Sequence, residues 1–292
     1  ITHLESNTDA TFSAWVKNNV GGSSTWDRII GKWDDSTTAN RSFLLNFDPS
    51  GSGDVARISI GDGSGGSVYA AGTTDLDTNW HHIAGVFDGG ASLKIYVDGV
   101  LEATNTTSIP AALTNKTIDT YIGAIAGGTS DNFNGKIADV RLYNSSLSAA
   151  EIGVLASKIG VDNAKVQSTD TRQGHWMLTT KHSGSLLAES GFDASETDVS
   201  VDDGTDFIDN DYQYILIEDE VMRITGISTN TLTVAARSGA NLCGTTAASH
   251  DDDDPIYIIG LEDLSSNNYA LTLVGDLTTP SGDIDFDAFS VN

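Results

Sequence analysis

The sequence predicts an all-β chain: a two-sheet sandwich over roughly residues 1–156 and a smaller all-β module over roughly 183–259. Three observations carry this. Apolar and polar residues alternate with period two in many short runs. Those runs are separated by clusters of Gly, Asn, Asp and Ser, with 30 glycines in 292 residues. Only one segment, 147–156, carries a clear helix-start signature.

The elements follow in order. Phe12–Lys17 alternates as a strand; Ile29–Trp33 and Ser42–Phe47 follow. Val55–Ile60 ends in Gly61-Asp62-Gly63. The Gly-rich run Gly61–Gly66 follows a strand but opens no helix, which argues against a phosphate cradle. Trp80–Phe87 is a strand, and Asp88-Gly89-Gly90 supplies turn residues that tolerate positive φ. Leu93, Ile95 and Val97 alternate with Lys94, Tyr96 and Asp98. Asp98-Gly99 is a two-residue hairpin signal leading into Val100 and Leu101. Phe133–Asn144 is another strand. Ser148 is a natural N-cap, and Glu151 completes a capping box for a helix over 147–156. Residues 157–174 are polar and without period, and read as a connector. Further on, Val199–Val201, Tyr214–Ile217, Glu220–Ile224 and Leu232–Val234 are short strands separated by turns.

Hydrophobic residues make up 39% of the chain, enough for a sizeable core. The net charge is −26. Such a surface repels phosphate backbones and anionic lipid, so nucleic acid and membranes are poor partners. It attracts divalent cations and suits salty water. One cysteine, Cys243, permits no intrachain disulfide and reads as a buried thiol. No apolar run approaches the ~18 residues of a membrane span. Ile1 in first place points to a processed, trimmed or partial chain.

Four phrases then point to a family. They are the Trp80-His81-His82 strand, Tyr96-Val97-Asp98-Gly99-Val100-Leu101, Phe133-Asn134-Gly135-Lys136-Ile137-Ala138-Asp139-Val140-Arg141-Leu142-Tyr143, and Leu147-Ser148-Ala149-Ala150-Glu151-Ile152. Together they resemble the laminin-G-like, concanavalin A-like jelly-roll family over roughly 1–156. The resemblance implies fold more than activity. A second resemblance concerns Ile215–Ile227, Asn230–Arg237, Gly244–His250 and Ile256-Tyr257, which are similar to a β-module of bacteriophage virion proteins. Ser238 and Ala240–Cys243 lengthen its loop.

The ends carry a third pattern. The jelly-roll family opens with a W-x-L strand and a D-x-S-x-N phrase before its A-W-V strand. Here His175–Leu178 and Asp263–Leu273 read like those strands, and Gly282–Asn292 runs almost seamlessly into Ile1. The chain therefore reads as permuted, or as one period of a tandem array. Residues 157–182 then form the connector and returning strand, and 260–292 the last strands of the sandwich. Residues 175–178 and 261–292 are expected to complete it, from the same chain or a neighbour, because an unpaired sheet edge invites aggregation.

The chemistry is sparse. Jelly-roll glucanases carry E-x-D-x-E on one strand, with the glutamates about 13 Å apart on one face. The nearest phrase is Glu218-Asp219-Glu220, which has the wrong spacing, lies in the module and reads as an exposed strand face. No catalytic residue is assigned. His81 and His82 are adjacent on a strand and face opposite sides. His3, His175, His182 and His250 lack zinc spacing. The jelly-roll resemblance implies Ca²⁺ at the sandwich rim. The candidates are Asp34, Asp35, Asp75, Asp77 and Asp131, the last beside Asn132; Asp251–Asp254 is another oxygen-rich loop. It also implies sugar binding, with Trp26, Trp33, Tyr69 and Asn132 as loop-proximal candidates and core packing as the rival role for the tryptophans.

The functional reading is a non-enzymatic bacteriophage virion structural protein (capsid decoration, tail or fibre) whose sandwich binds surface glycans. It is expected on the virion surface or otherwise extracellular, as a homo-oligomer contacting other virion or filament subunits. The alternative is a bacterial or archaeal surface adhesin or filament subunit.

Overall fold

The computed structural model describes residues 4–19, 26–49, 53–126, 132–159, 161–176, 178, 180–189, 192–207, 214–218, 220–235, 237 and 247–259, and four short backbone strands within 271–291. In chain order the strands are β1 (Asp9–Asn18), β2 (Arg28–Lys32), β3 (Phe43–Asp48), β4 (Val55–Gly61) and β5 (Ser67–Ala71). Then come β6 (Trp80–Asp88), β7 (Ser92–Val97), β8 (Val100–Asn105), β9 (Thr120–Ile122) and β10 (Gly135–Tyr143). Helices α1 (Ala149–Leu155) and α2 (Asn163–Val166) precede β11 (Arg172–Trp176), β12 (Thr180–Leu186), β13 (Asp198–Ser200) and β14 (Tyr214–Ile217). The rest are β15 (Glu220–Ser228), β16 (Thr231–Val234), β17 (Pro255–Ile259), β18 (Leu271–Leu273), β19 (Leu277–Thr278), β20 (Asp285–Phe286) and β21 (Phe289–Val291). No helix of the described residues is long and apolar enough to cross a membrane.

Two sheets make the sandwich. One has the order β11-β10-β1-β6-β7-β8; the other runs β18-β21-β9-β2-β3-β4-β5. Strand alternation decides what lies between them. Phe43, Leu45 and Phe47 of β3, and Ala56, Ile58 and Ile60 of β4, point inward and meet Phe12, Val16, Ile83, Phe87, Leu93 and Ile95. Phe12 and Phe43 stack at 4.3 Å between ring centroids. The sheets approach closely at Gly85, where a β-carbon would lie 2.7–2.9 Å from three side-chain carbons of Ile58.

The family's missing opening strands have spatial counterparts. β11 pairs antiparallel with β10, with Trp176 opposite Val140. β21 pairs with β9, placing Phe289 opposite Ile122, and β18 pairs with β21. Trp176 is fully buried in the core. The side chains of 271–291 lie outside the described residues, so the alternation of Leu271, Leu273, Ile284 and Phe286 is not described.

A third sheet, β12-β17-β14-β15-β16-β13, forms the module. Phe192, Val199, Ile215, Ile217, Ile224 and Leu232 are among its core residues. The opposite faces of β14 and β15 send Tyr214, Leu216 and Val221 into the sandwich core. Glu218-Asp219-Glu220 differs from expectation. Glu218 follows β14 at φ 51° and Glu220 opens β15; Asp219 lies outside the described residues. Glu220 is buried rather than on an exposed face, because Arg237 and His250 both bond its carboxylate.

Local chemistry explains other elements. Asp98 and Gly99 both have positive φ, 49° and 81°, the requirement of a type I′ hairpin turn. The Ser148–Glu151 capping box opens α1. The stretch 157–174 holds more structure than its polarity suggests. Asp162 caps α2 by accepting from the Ala164 N–H, and Val161 and Val166 pack with α1 on the outer face of the first sheet. Beneath them Arg141 is clamped by Asp139 and donates to the Val161 carbonyl at 2.6 Å.

Candidate functional site

The outward faces of β2, β3 and β4 carry polar residues in register. Arg28 lies opposite Asn46, and Asn46 opposite Arg57. One step along, Leu44 pairs with Ser59 and Ser59 with Tyr69. This row floors a cavity of about 350 Å³ whose lining includes Trp26, Trp33, Asp35, Arg41, Asn46 and Arg57. Gly31, opposite Leu44, leaves room for that side chain: a β-carbon there would sit 2.7 Å from Leu44 Cδ1.

Ion pairs and rings hold the arginines. Arg28 donates to Asp35 Oδ2 at 2.7 Å, and Arg57 to Asp48 Oδ2 at 2.7 Å. Arg57 also lies 3.7 Å from the Tyr69 ring centroid and 5.1 Å from that of Trp26. Arg41 sits 5.1 Å over Trp33, whose indole N–H donates to Asp35 Oδ1 at 2.9 Å. Asn46 is 1% exposed; its amide donates to the Phe47 carbonyl, and its Oδ1 has no hydrogen-bond partner among the described residues. A buried acceptor left bare costs free energy until a donor arrives.

The sequence-derived sugar candidates fall in or beside this cavity. Trp26 is half-buried and lines it. Trp33 lines it too, but is only 4% exposed and packs with Leu44 and Ile125, so it also does core work. Tyr69 is 49% exposed, with its ring under Arg57. Asn132 forms an isolated bridge with Arg28. The arginines and Asn46 were not singled out from sequence. Their signal was there: in Val55–Ile60, Arg57 holds the outward phase of an otherwise apolar-inward strand.

Among the described residues, Asp34, Asp35, Asp75 and Asp77 form no group of three or more ligand atoms within 4.8 Å of one another. Asp34 is spent on its own loop, accepting from the Ser36 hydroxyl and from the Ser36 and Thr37 N–H groups. Those bonds, the Ser36 hydroxyl first, lower its pKa. Asp35 is met by Arg28, Arg41 and Trp33. Asp75 Oδ1 accepts from the Asp54 N–H at 3.1 Å. Asp77 accepts from Asn79 and His81. Protein donors, two of them cationic at Asp35, thus bond each of these four carboxylates. Asp131 and Cys243 lie outside the described residues.

Among the described residues, the carboxylate–histidine group whose ligand atoms lie within 4.8 Å of one another is Glu218, His250 and Asp254. Sequence spacing could not reveal it, because the loop return of 247–250 brings His250 to the β14–β15 turn. His82 and His81 are structural in geometry. His82 is 1% exposed, 5.6 Å from the Trp15 ring, and burial lowers its pKa to about 4. His81 bridges Asp77 and Asp98 on the opposite side; burial opposes its charge, but the bonds to Asp98 and Asp77 raise its pKa.

Solved structures similar to this chain include a proposed carbohydrate-binding protein of Bacteroides ovatus. It is 18% identical over 68% of this chain and 50% of that one, with a TM-score of 0.46. The chain thus spans half the length of that protein. Domain 4 of AbnA, an extracellular arabinanase of Geobacillus stearothermophilus solved with arabinotriose, is 21% identical over 53% of this chain and 69% of that one, with a TM-score of 0.40. The CBM40 of the Ruminococcus gnavus IT-sialidase is 15% identical over 53% and 86%, with a TM-score of 0.39. Among curated proteins none matches. The family profile of the concanavalin A-like lectin/glucanases superfamily matches residues 2–153. That segment is just over half of the sequence, holds the cavity just described, and places this chain in the concanavalin A-like lectin/glucanases superfamily.

Proposed function

We propose that this chain is a non-enzymatic glycan-binding module whose site is the cavity over β2, β3 and β4. The observation that carries this is Asn46. Asn46 lines a cavity edged by Trp26, with Tyr69 close by; its Oδ1 is bare among the described residues, and a sugar supplies both a hydroxyl donor and an apolar ring face. Asp35 is the one carboxylate among the described residues lining the cavity, and Arg28 holds it. Glycoside hydrolysis needs two carboxylates flanking the bond. Binding without turnover is therefore the reading.

The test is affinity electrophoresis and calorimetry against a panel of neutral and acidic polysaccharides, with Trp26→Ala and Asn46→Leu variants. Retention of the wild type, loss of it in both variants, and no release of reducing sugar are expected. Retention unaffected by either variant would move the site elsewhere.

We further read the chain as an extracellular structural subunit, first of a bacteriophage virion, otherwise of a cell-surface adhesin or filament. The resemblance of 215–257 to a virion β-module supports the first, and an acidic surface suits both. Light scattering of the purified chain checks the expected homo-oligomer; a strict monomer at high concentration counts against it.

A further inference from the structure

We propose that the cavity selects acidic sugars, by a carboxylate of the ligand meeting the guanidinium groups of Arg41 and Arg57. This rests on the glycan-binding reading above and adds the class of sugar. The first ground is charge. The chain has 15 Lys and Arg against 41 Asp and Glu, yet Arg28, Arg41 and Arg57 converge on one cavity. Among the described residues Asp35 pairs with Arg28 and Arg41, and Asp48 with Arg57. A solvated acidic surface does not require that convergence; an anionic ligand does.

The second ground is unspent donors. Arg57 uses Nη1 on Asp48 and Nε on the Ser59 hydroxyl. Its Nη2 makes no hydrogen bond among the described residues. Arg41 is held loosely, by the Gly65 carbonyl at 3.3 Å and Asp35 Oδ1 at 3.4 Å. Its Nε is buried and makes no hydrogen bond among the described residues. A guanidinium with open N–H groups matches a carboxylate through two parallel bonds, and such charge-assisted bonds are about twice as strong as neutral ones. The third ground is how the site divides its labour. Asn46 Oδ1 accepts from a hydroxyl, the aromatic rings take the sugar face, and the arginines take the acid. One cavity thus offers a complement to each part of a uronate-type or sialate-type residue.

The experiment uses the full chain and three probes: polygalacturonate, its carboxyl-reduced counterpart and dextran sulfate. Calorimetry should show polygalacturonate binding about tenfold or more above the reduced polymer, a ratio typical of one charge-assisted pair. Arg41→Gln should lose that ratio and keep the residual affinity for the reduced polymer. Arg57→Lys, which keeps the charge but not the fork, should lose most of it. Melting temperatures of both variants confirm folding. Equal binding of the two polygalacturonate forms would overturn the acid selectivity and leave glycan binding standing. Equal binding of dextran sulfate would overturn the carboxylate assignment in favour of charge alone. No binding to any polysaccharide of the wider panel would overturn both readings.

Discussion

Replacing Arg237 with Met tests how the module is held together. Arg237 is 2% exposed, and its guanidinium meets Glu220 at 2.9 Å through Nε and 2.7 Å through Nη2. It also donates to the carbonyls of Asp193, Glu196 and Ala248, and lies 4.0 Å over the Phe192 ring. It therefore ties two loops to the edge of β15. Burial would raise the Glu220 pKa, but His250 and Arg237 together hold it at about 2. Removing one partner of a buried pair costs about 3–5 kcal/mol, because the other charge stays buried. Methionine keeps packing on Phe192 and His250 still bonds Glu220, so we expect about 3–4 kcal/mol. The assay is urea unfolding, since urea does not screen charges. Far-UV circular dichroism follows the whole chain. Tryptophan fluorescence follows the sandwich, because Trp15, Trp26, Trp33, Trp80 and Trp176 all precede the module. The dichroism transition should shift by that amount, and Arg237→Met with Glu220→Gln should recover about half, since no charge is then stranded. A single variant within about 1 kcal/mol of wild type would refute the reasoning.

Two further predictions concern the sandwich. Gly85→Ala pushes a methyl group into Ile58 and should cost about 1–3 kcal/mol, with Ile58→Val in the same chain recovering part of it; a variant as stable as wild type by urea unfolding would contradict the close approach of the sheets. The pH profile should carry the mark of His82, whose folded pKa of about 4 lies below its ordinary value of 6.5. The unfolded chain binds the proton more readily between those values, so stability falls as pH drops from about 6.5 to 4. His82→Phe should flatten that part of the profile, and an unchanged slope would count against burial of the neutral ring.

The fold class was legible because it rests on local chemistry. Period-two alternation in Phe43–Phe47 and Val55–Ile60 already separates core-facing residues from outward ones. Asp98-Gly99 dictates its turn through φ, and Ser148 with Glu151 dictates a helix start. What crosses the chain was not legible. Nothing local says that Phe289 lies opposite Ile122, or that His250 returns to Glu220. The row from Arg28 through Asn46 to Arg57 depends on the pairing register of three strands. The sequence by itself determined which residues alternate, turn and cap, because those choices depend on a few neighbouring dihedrals. The tertiary structure alone decided which arginines share a cavity, because register and sheet order bring together arginines up to twenty-nine positions apart, Arg28 and Arg57, and no local preference carries that distance.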